Sequence, residues 1–123
     1  MKRIAILMPC FEDAASASQL MYDLNEVAAP GTEIDFWVVD DGSHPPLKGQ
    51  FPSTLPLRLV SLRSNVGHQR AIACGLCAIY DSPSSYDHVV VMDSDGEDSP
   101  EDLEALLAPL SDEVPIVVAN RNK

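Results

Sequence analysis

The chain has 123 residues, 46% of them apolar, which is material for one small domain with a real core and too little for two. Its 19 acidic residues against 8 basic ones leave a net charge of -11, which argues against nucleic acid or an anionic membrane surface as the main partner and makes a divalent cation the natural counterweight. Met1-Lys2-Arg3 runs into only a short apolar stretch that stops at Pro9, with no signal-peptide pattern and no run long enough to span a bilayer, so the expected location is cytoplasmic, where free cysteines suit a reducing compartment.

Ile4 to Met8 is a continuous apolar run that Pro9 ends, and it predicts a first strand with Pro9 to Asp13 as the loop beyond it. From Ala14 to about Ala28 the spacing of Leu20, Met21, Leu24 and Val27 is helical, and Pro30-Gly31 closes the helix. Ile34 to Val39 predicts a second strand that runs straight into Asp40-Asp41-Gly42-Ser43. Five prolines or glycines between Ser43 and Pro56 point to a loose crossover with at most one turn of helix. Leu57 to Leu62 predicts a third strand, and Gln69 to Tyr80 a helix whose small residues, Gly75 among them, allow close approach to a sheet. His88 to Met92 predicts a fourth strand, Pro100 to about Leu110 a further helix with Ser99 as N-cap, and Val114 to Ala119 a fifth strand.

Short buried strands alternating with helices predict an α/β fold with a mostly parallel sheet, right-handed crossovers and helices on both faces. Neither a GxGxxG after the first strand nor a Walker lysine motif occurs, which removes the main support for dinucleotide and P-loop readings.

In such a sheet ligands bind at the carboxyl edge of the strands, and three strands end there in candidate groups: Phe11 with Asp13, Asp40 with Asp41, and Asp93 with Asp95. Asp93-Ser94-Asp95-Gly96-Glu97 directly follows an apolar strand and offers the hard oxygen donors that Mg²⁺ or Mn²⁺ takes while also holding phosphates. The competing account, a solvated acidic loop leading into the next helix, explains Ser99 to Asp102 but not an aspartate placed at the end of a buried strand. An aromatic face, a lone carboxylate and a cation held by acids together suit a nucleoside diphosphate.

Four ordered segments carry a resemblance: Ile6 to Asp13, Val38 to Ser43, Asn65-Val66-Gly67-His68-Gln69-Arg70-Ala71 with Gly75-Leu76, and Met92 to Leu103. In them the chain resembles the amino-terminal, donor-binding half of the family 2 glycosyltransferases of Rossmann-like GT-A fold, nearest to the polyprenyl-phosphate sugar transferases such as dolichyl-phosphate mannose synthase. The resemblance implies an inverting transferase that takes a nucleoside-diphosphate sugar with a divalent metal and passes the sugar to a polyprenyl phosphate or saccharide acceptor, at the cytoplasmic face of the membrane in that branch. It implies that Pro9, Phe11 and Asp13 line the nucleotide, that Val39 and Asp41 reach the base, that Met92, Asp93 and Ser94 hold ribose and phosphate, and that Asp93, Asp95 and Glu97 approach the metal. Four positions depart from the usual pattern: Phe11 replaces Tyr, Glu12-Asp13 replaces Asn-Glu, and Glu97 stands where related transferases often have Gln.

Family members continue beyond the fifth strand with an acceptor-binding segment, so a donor-binding fragment, truncated or split from a complementary carboxyl-terminal half and inactive alone, is the alternative expectation. No catalytic base is assigned, and a phosphate acceptor needs none because it is already ionised. Cys74-Gly75-Leu76-Cys77 has the spacing of a thiol pair but falls inside a helix with no second pair, so small buried side chains are its better account. His68 either touches a phosphate or caps its turn, and Arg63 and Arg70 are the cations expected near a leaving diphosphate.

Overall fold

Alternation along the first strand sets the architecture. In β1 (Lys2–Cys10) Ile4, Ile6, Met8 and Cys10 belong to one apolar cluster and Ala5 and Leu7 to another, so the strand is buried on both faces. The computed structural model describes residues 2–28 and 30–93 and the backbone of 116–118. β1 is followed by α1 (Ala14–Val27), β2 (Thr32–Asp40), β3 (Leu57–Ser61), α2 (His68–Asp81), β4 (His88–Val91) and β5 (Ile116–Val118). The strands form one sheet in the order β3-β2-β1-β4-β5, and every neighbouring pair is parallel.

α1 places Ala17, Leu20, Met21 and Leu24 against the first cluster, and α2 places Ala71 and Ile79 in the second. Each fully buried Leu or Met of this kind stabilises the fold by about 1.5–3 kcal/mol relative to exposure. The expected α/β fold, a parallel sheet with a helix on each face, is therefore observed. α2 lies unusually close to the sheet: a Cβ on Gly75 would stand 2.5 Å from Leu7 Cδ1 and 2.8 Å from Val39 Cγ2.

Several boundaries differ from the sequence reading for physical reasons. β1 continues through Pro9 to Cys10, because Leu7 is the last β1 residue in register with β4. The carbonyl of Leu7 accepts Met92 N–H on the β4 side, so Pro9, two residues on, directs its missing N–H to that side beyond the ladder and breaks no strand pairing. The crossover from Ser43 to Pro56 holds no helix; Leu47 and Leu55 reach from it into the α1 cluster and fill that face instead. The helix predicted from Pro100 and its Ser99 cap lie outside the described residues.

At the amino end of the strands Arg3 and Tyr86 both donate to Asp35, at 2.9 and 2.7 Å, and Trp37 donates to the Tyr86 hydroxyl at 3.1 Å. This network ties the loop before β4 to β1 and β2, at the end of the sheet remote from the carboxyl edge.

Candidate nucleotide site

The chain leaves β1 towards β2 on one side and returns from β3 to β4 on the other, so the carboxyl end of the β1–β4 pair is the point where the winding reverses. A cavity of about 330 Å³ opens there, lined by Pro9, Cys10, Phe11, Asp13, Asp41, Asn65, Gly67, His68 and Asp93. Four separate loops thus deliver side chains to one cleft.

The β1 loop supplies an aromatic and a carboxylate. Phe11 is 47% exposed, which leaves a ring face open to a ligand. Asp13 caps α1, its carboxylate accepting the Ser16 amide at 3.0 Å, and hydrogen bonds from the Ser16 side chain and backbone hold its pKa below the usual carboxylate value against a small opposing effect of burial. Cys10 lines the cleft with its thiol donating to the Asp13 carbonyl at 3.3 Å.

Asp40 and Asp41 divide their work by the alternation of the strand they end. Asp40 is buried among the crossover residues, accepting the amides of Ser43 at 3.0 Å and Leu47 at 2.9 Å, and it does not line the cleft. The expectation that both acids are ligand groups is corrected there: Asp40 organises the loop. Asp41 does line the cleft, with one oxygen on the Val66 amide at 2.8 Å while its own carbonyl accepts from Asn65 Nδ2 at 3.2 Å. Gly42 makes this meeting of loops possible, since a Cβ there would fall 2.4 Å from the Ser64 carbonyl carbon and the Asn65 nitrogen, at a φ of 75°.

Val39 and Met92 sit beside the cleft in chain order, but their side chains are core residues, Val39 on the α2 face and Met92 on the α1 face. Both residues are buried whole, Val39 at 0% and Met92 at 1% exposure, so neither offers the cleft an exposed side-chain or backbone group. Pro9, Phe11, Asp13, Asp41 and Asp93 come together as cleft residues, whereas Ser94, Asp95 and Glu97 lie outside the described residues. Asp93 is 16% exposed and shares its Oδ1 with His68 Nε2 at 2.5 Å. His68, left undecided by sequence, therefore stands at the cleft wall as the first residue of α2, whose N-cap Gly67 provides no side-chain cap. Arg63 and Arg70 are exposed and line no part of the cleft. Cys77 is exposed on α2 rather than buried, and Cys74 is half-buried.

Among the described residues no three His, Cys, Asp or Glu side chains converge to hold a metal ion. Asp13, Asp41 and Asp93 each bring a carboxylate, the donor type a hard cation takes, to the lining of this cleft, but the three do not converge on one point. A second cavity of about 510 Å³ lies towards the amino end of β4, lined by Leu76, Ile79, Tyr80, Tyr86 and Val89 among others. Its walls are largely apolar and suit no polyphosphate.

A family model described as glycosyl transferase family 2 matches residues 5–123. The chain belongs to glycosyltransferase family 2. Among solved structures this family 2 domain is similar to S. aureus TarS at 22% identity and a TM-score of 0.58, covering 88% of this chain and 20% of that one. A second TarS structure, of residues 1–349, matches with the same identity and TM-score over 88% of this chain and 32% of its own. At that identity the likeness is one of fold, and the chain spans a third or less of either structure. A search of curated proteins found no match. Among the described residues no helix is long and apolar enough to cross a membrane.

Proposed function

We propose that this family 2 domain binds a nucleoside-diphosphate sugar in the cleft at the β1–β4 switch point and takes part in inverting transfer of the sugar to an acceptor. The observation that carries the reading is the convergence of Phe11, Asp13, Asp41 and Asp93, from the ends of three strands, around one cavity of about 330 Å³. Phe11 stacks the base, Asp41 accepts a base N–H, and Asp93 faces ribose and phosphate with Ser94.

Asp93, Asp95 and Glu97 are the residues proposed to hold Mg²⁺ or Mn²⁺, which when bound supplies charge neutralisation for the diphosphate. In the transfer the bond from the anomeric carbon to the diphosphate oxygen breaks as an acceptor oxygen bonds the opposite face, and the electron pair leaves with the nucleoside diphosphate. A polyprenyl-phosphate acceptor, as in the dolichyl-phosphate mannose synthase branch, suits a site with no assigned base, because the nucleophile arrives ionised. That acceptor would place the domain at the cytoplasmic face of a membrane.

Calorimetric titration with UDP and GDP, with and without Mn²⁺, tests the donor site: metal-dependent heat for one of them is expected, and none for either would remove the reading. Turnover of a nucleotide sugar by the 123-residue chain would distinguish a transferase complete in itself from a donor-binding fragment that needs a complementary half.

A further inference from the structure

We propose that Ser43 is a positioning residue for the aromatic wall of the cleft, holding Phe11 in place from the neighbouring strand's loop without lining the cleft itself. The inference rests on the nucleotide-site reading above. Glu12, between Phe11 and Asp13, has a φ of 55°, in the left-handed region that a residue with a Cβ keeps only when its surroundings fix it. The fixing contact is the Ser43 hydroxyl, which accepts the Glu12 amide at 2.7 Å. Ser43 is 3% exposed, and its own amide donates to Asp40 Oδ1 at 3.0 Å, while Asp40 Oδ2 takes the Leu47 amide at 2.9 Å. The backbone of Ser43 is therefore held by a carboxylate that is engaged through both oxygens, and the hydroxyl is carried on that fixed backbone.

The ends of this three-residue loop are secured independently, by the thiol of Cys10 on the Asp13 carbonyl and by the Asp13 cap on α1. Ser43 is the contact that reaches its middle. A ring left half in solvent, as Phe11 is, keeps one orientation only if the backbone beneath it is held, because few neighbours restrain it. Relaxation of Glu12 to a negative φ would rotate the chain at the residue next to Phe11 and move the ring from the cleft rim. Ser43 thus acts on the ligand through Phe11 by way of Glu12, 31 positions from it in sequence.

A double-mutant cycle tests this, with the whole chain titrated calorimetrically with UDP and GDP in the presence of Mn²⁺ as wild type, Ser43→Ala, Phe11→Ala and the double variant. Ser43→Ala is expected to raise the nucleotide Kd roughly three- to tenfold, the scale of one hydrogen bond, and to add nothing in the Phe11→Ala background. An equal loss in both backgrounds overturns the positioning role, since a latch serving the fold alone would act without regard to Phe11. Should Ser43→Ala fail to fold by circular dichroism, Ser43→Cys, of similar size but a poor acceptor, carries the same expectations. No nucleotide binding by the wild type would overturn the nucleotide-site reading itself, and this inference with it.

Discussion

Asp41 and Val66 meet across the gap between the loops that follow β2 and β3, the carboxylate accepting the Val66 amide at 2.8 Å. The contact gives one carboxylate two tasks, closing the loops and facing the cleft. Asp41→Ala should raise the Kd of the bound nucleotide about tenfold, the cost of a charged hydrogen bond, and leave that of inorganic diphosphate unchanged. Calorimetry with both ligands checks it, and equal losses would count against base recognition.

His68 and Asp93 link the start of α2 to the end of β4. His68→Ala removes a partner from a carboxylate at the cleft wall and should weaken Mn²⁺-dependent nucleotide binding by roughly three- to tenfold, on the scale of a hydrogen bond to a charged group. His68→Gln keeps a donor within reach and should retain most of the affinity. A Gln variant as weak as the Ala variant would show that the contact is not the donor that matters.

Asp95→Ala should abolish the metal dependence of nucleotide binding while the circular dichroism spectrum stays that of the wild type. Unchanged stimulation by Mn²⁺ would remove Asp95 from the proposed ligand set.

Gly75→Ala tests the close approach of α2. The new methyl group would press on Leu7 and Val39, both fully buried, and overpacking of this kind costs about 1–3 kcal/mol against a helix-propensity gain of about 1 kcal/mol. A lower urea midpoint at unchanged slope is the expected result. A variant more stable than wild type would mean that the helix sits farther from the sheet.

Asp13 makes stability depend on acid. Hydrogen bonds from Ser16 lower its folded pKa below its unfolded value, so its contribution is complete above the unfolded pKa and is lost as pH falls through the folded one. Asp13→Ala should cost about 1 kcal/mol at neutral pH, the usual worth of a cap, and the gap to wild type should close as pH drops below about 4. Urea unfolding at both pH values measures it, and a gap that widens in acid would contradict the sign.

Much of the fold was legible because strand and helix periods are local properties. The apolar runs at Ile4 to Met8 and Ile34 to Val39, and the helical spacing of Leu20, Met21 and Leu24, needed no knowledge of partners. Pro9 misled because whether a proline ends a strand depends on which neighbour its nitrogen faces, and that is set by register with β4. The crossover after Ser43 was readable as irregular, but not that Leu47 and Leu55 would seal a face of the sheet.

At the site the sequence by itself determined the chemistry on offer: an aromatic and acids at strand ends that a parallel sheet must bring to one edge. Only the tertiary structure decided which of them face the cleft. Adjacent residues of a strand point to opposite sides, so Asp41 enters the cleft while Asp40 turns to the amides of Ser43 and Leu47; Val39 and Met92 lie one or two residues short of the edge, where both faces of the sheet are covered, and are core. Asn65 and His68 join because β3 lies next to β2 and α2 starts where β3 ends, a proximity made by strand order rather than by spacing along the chain.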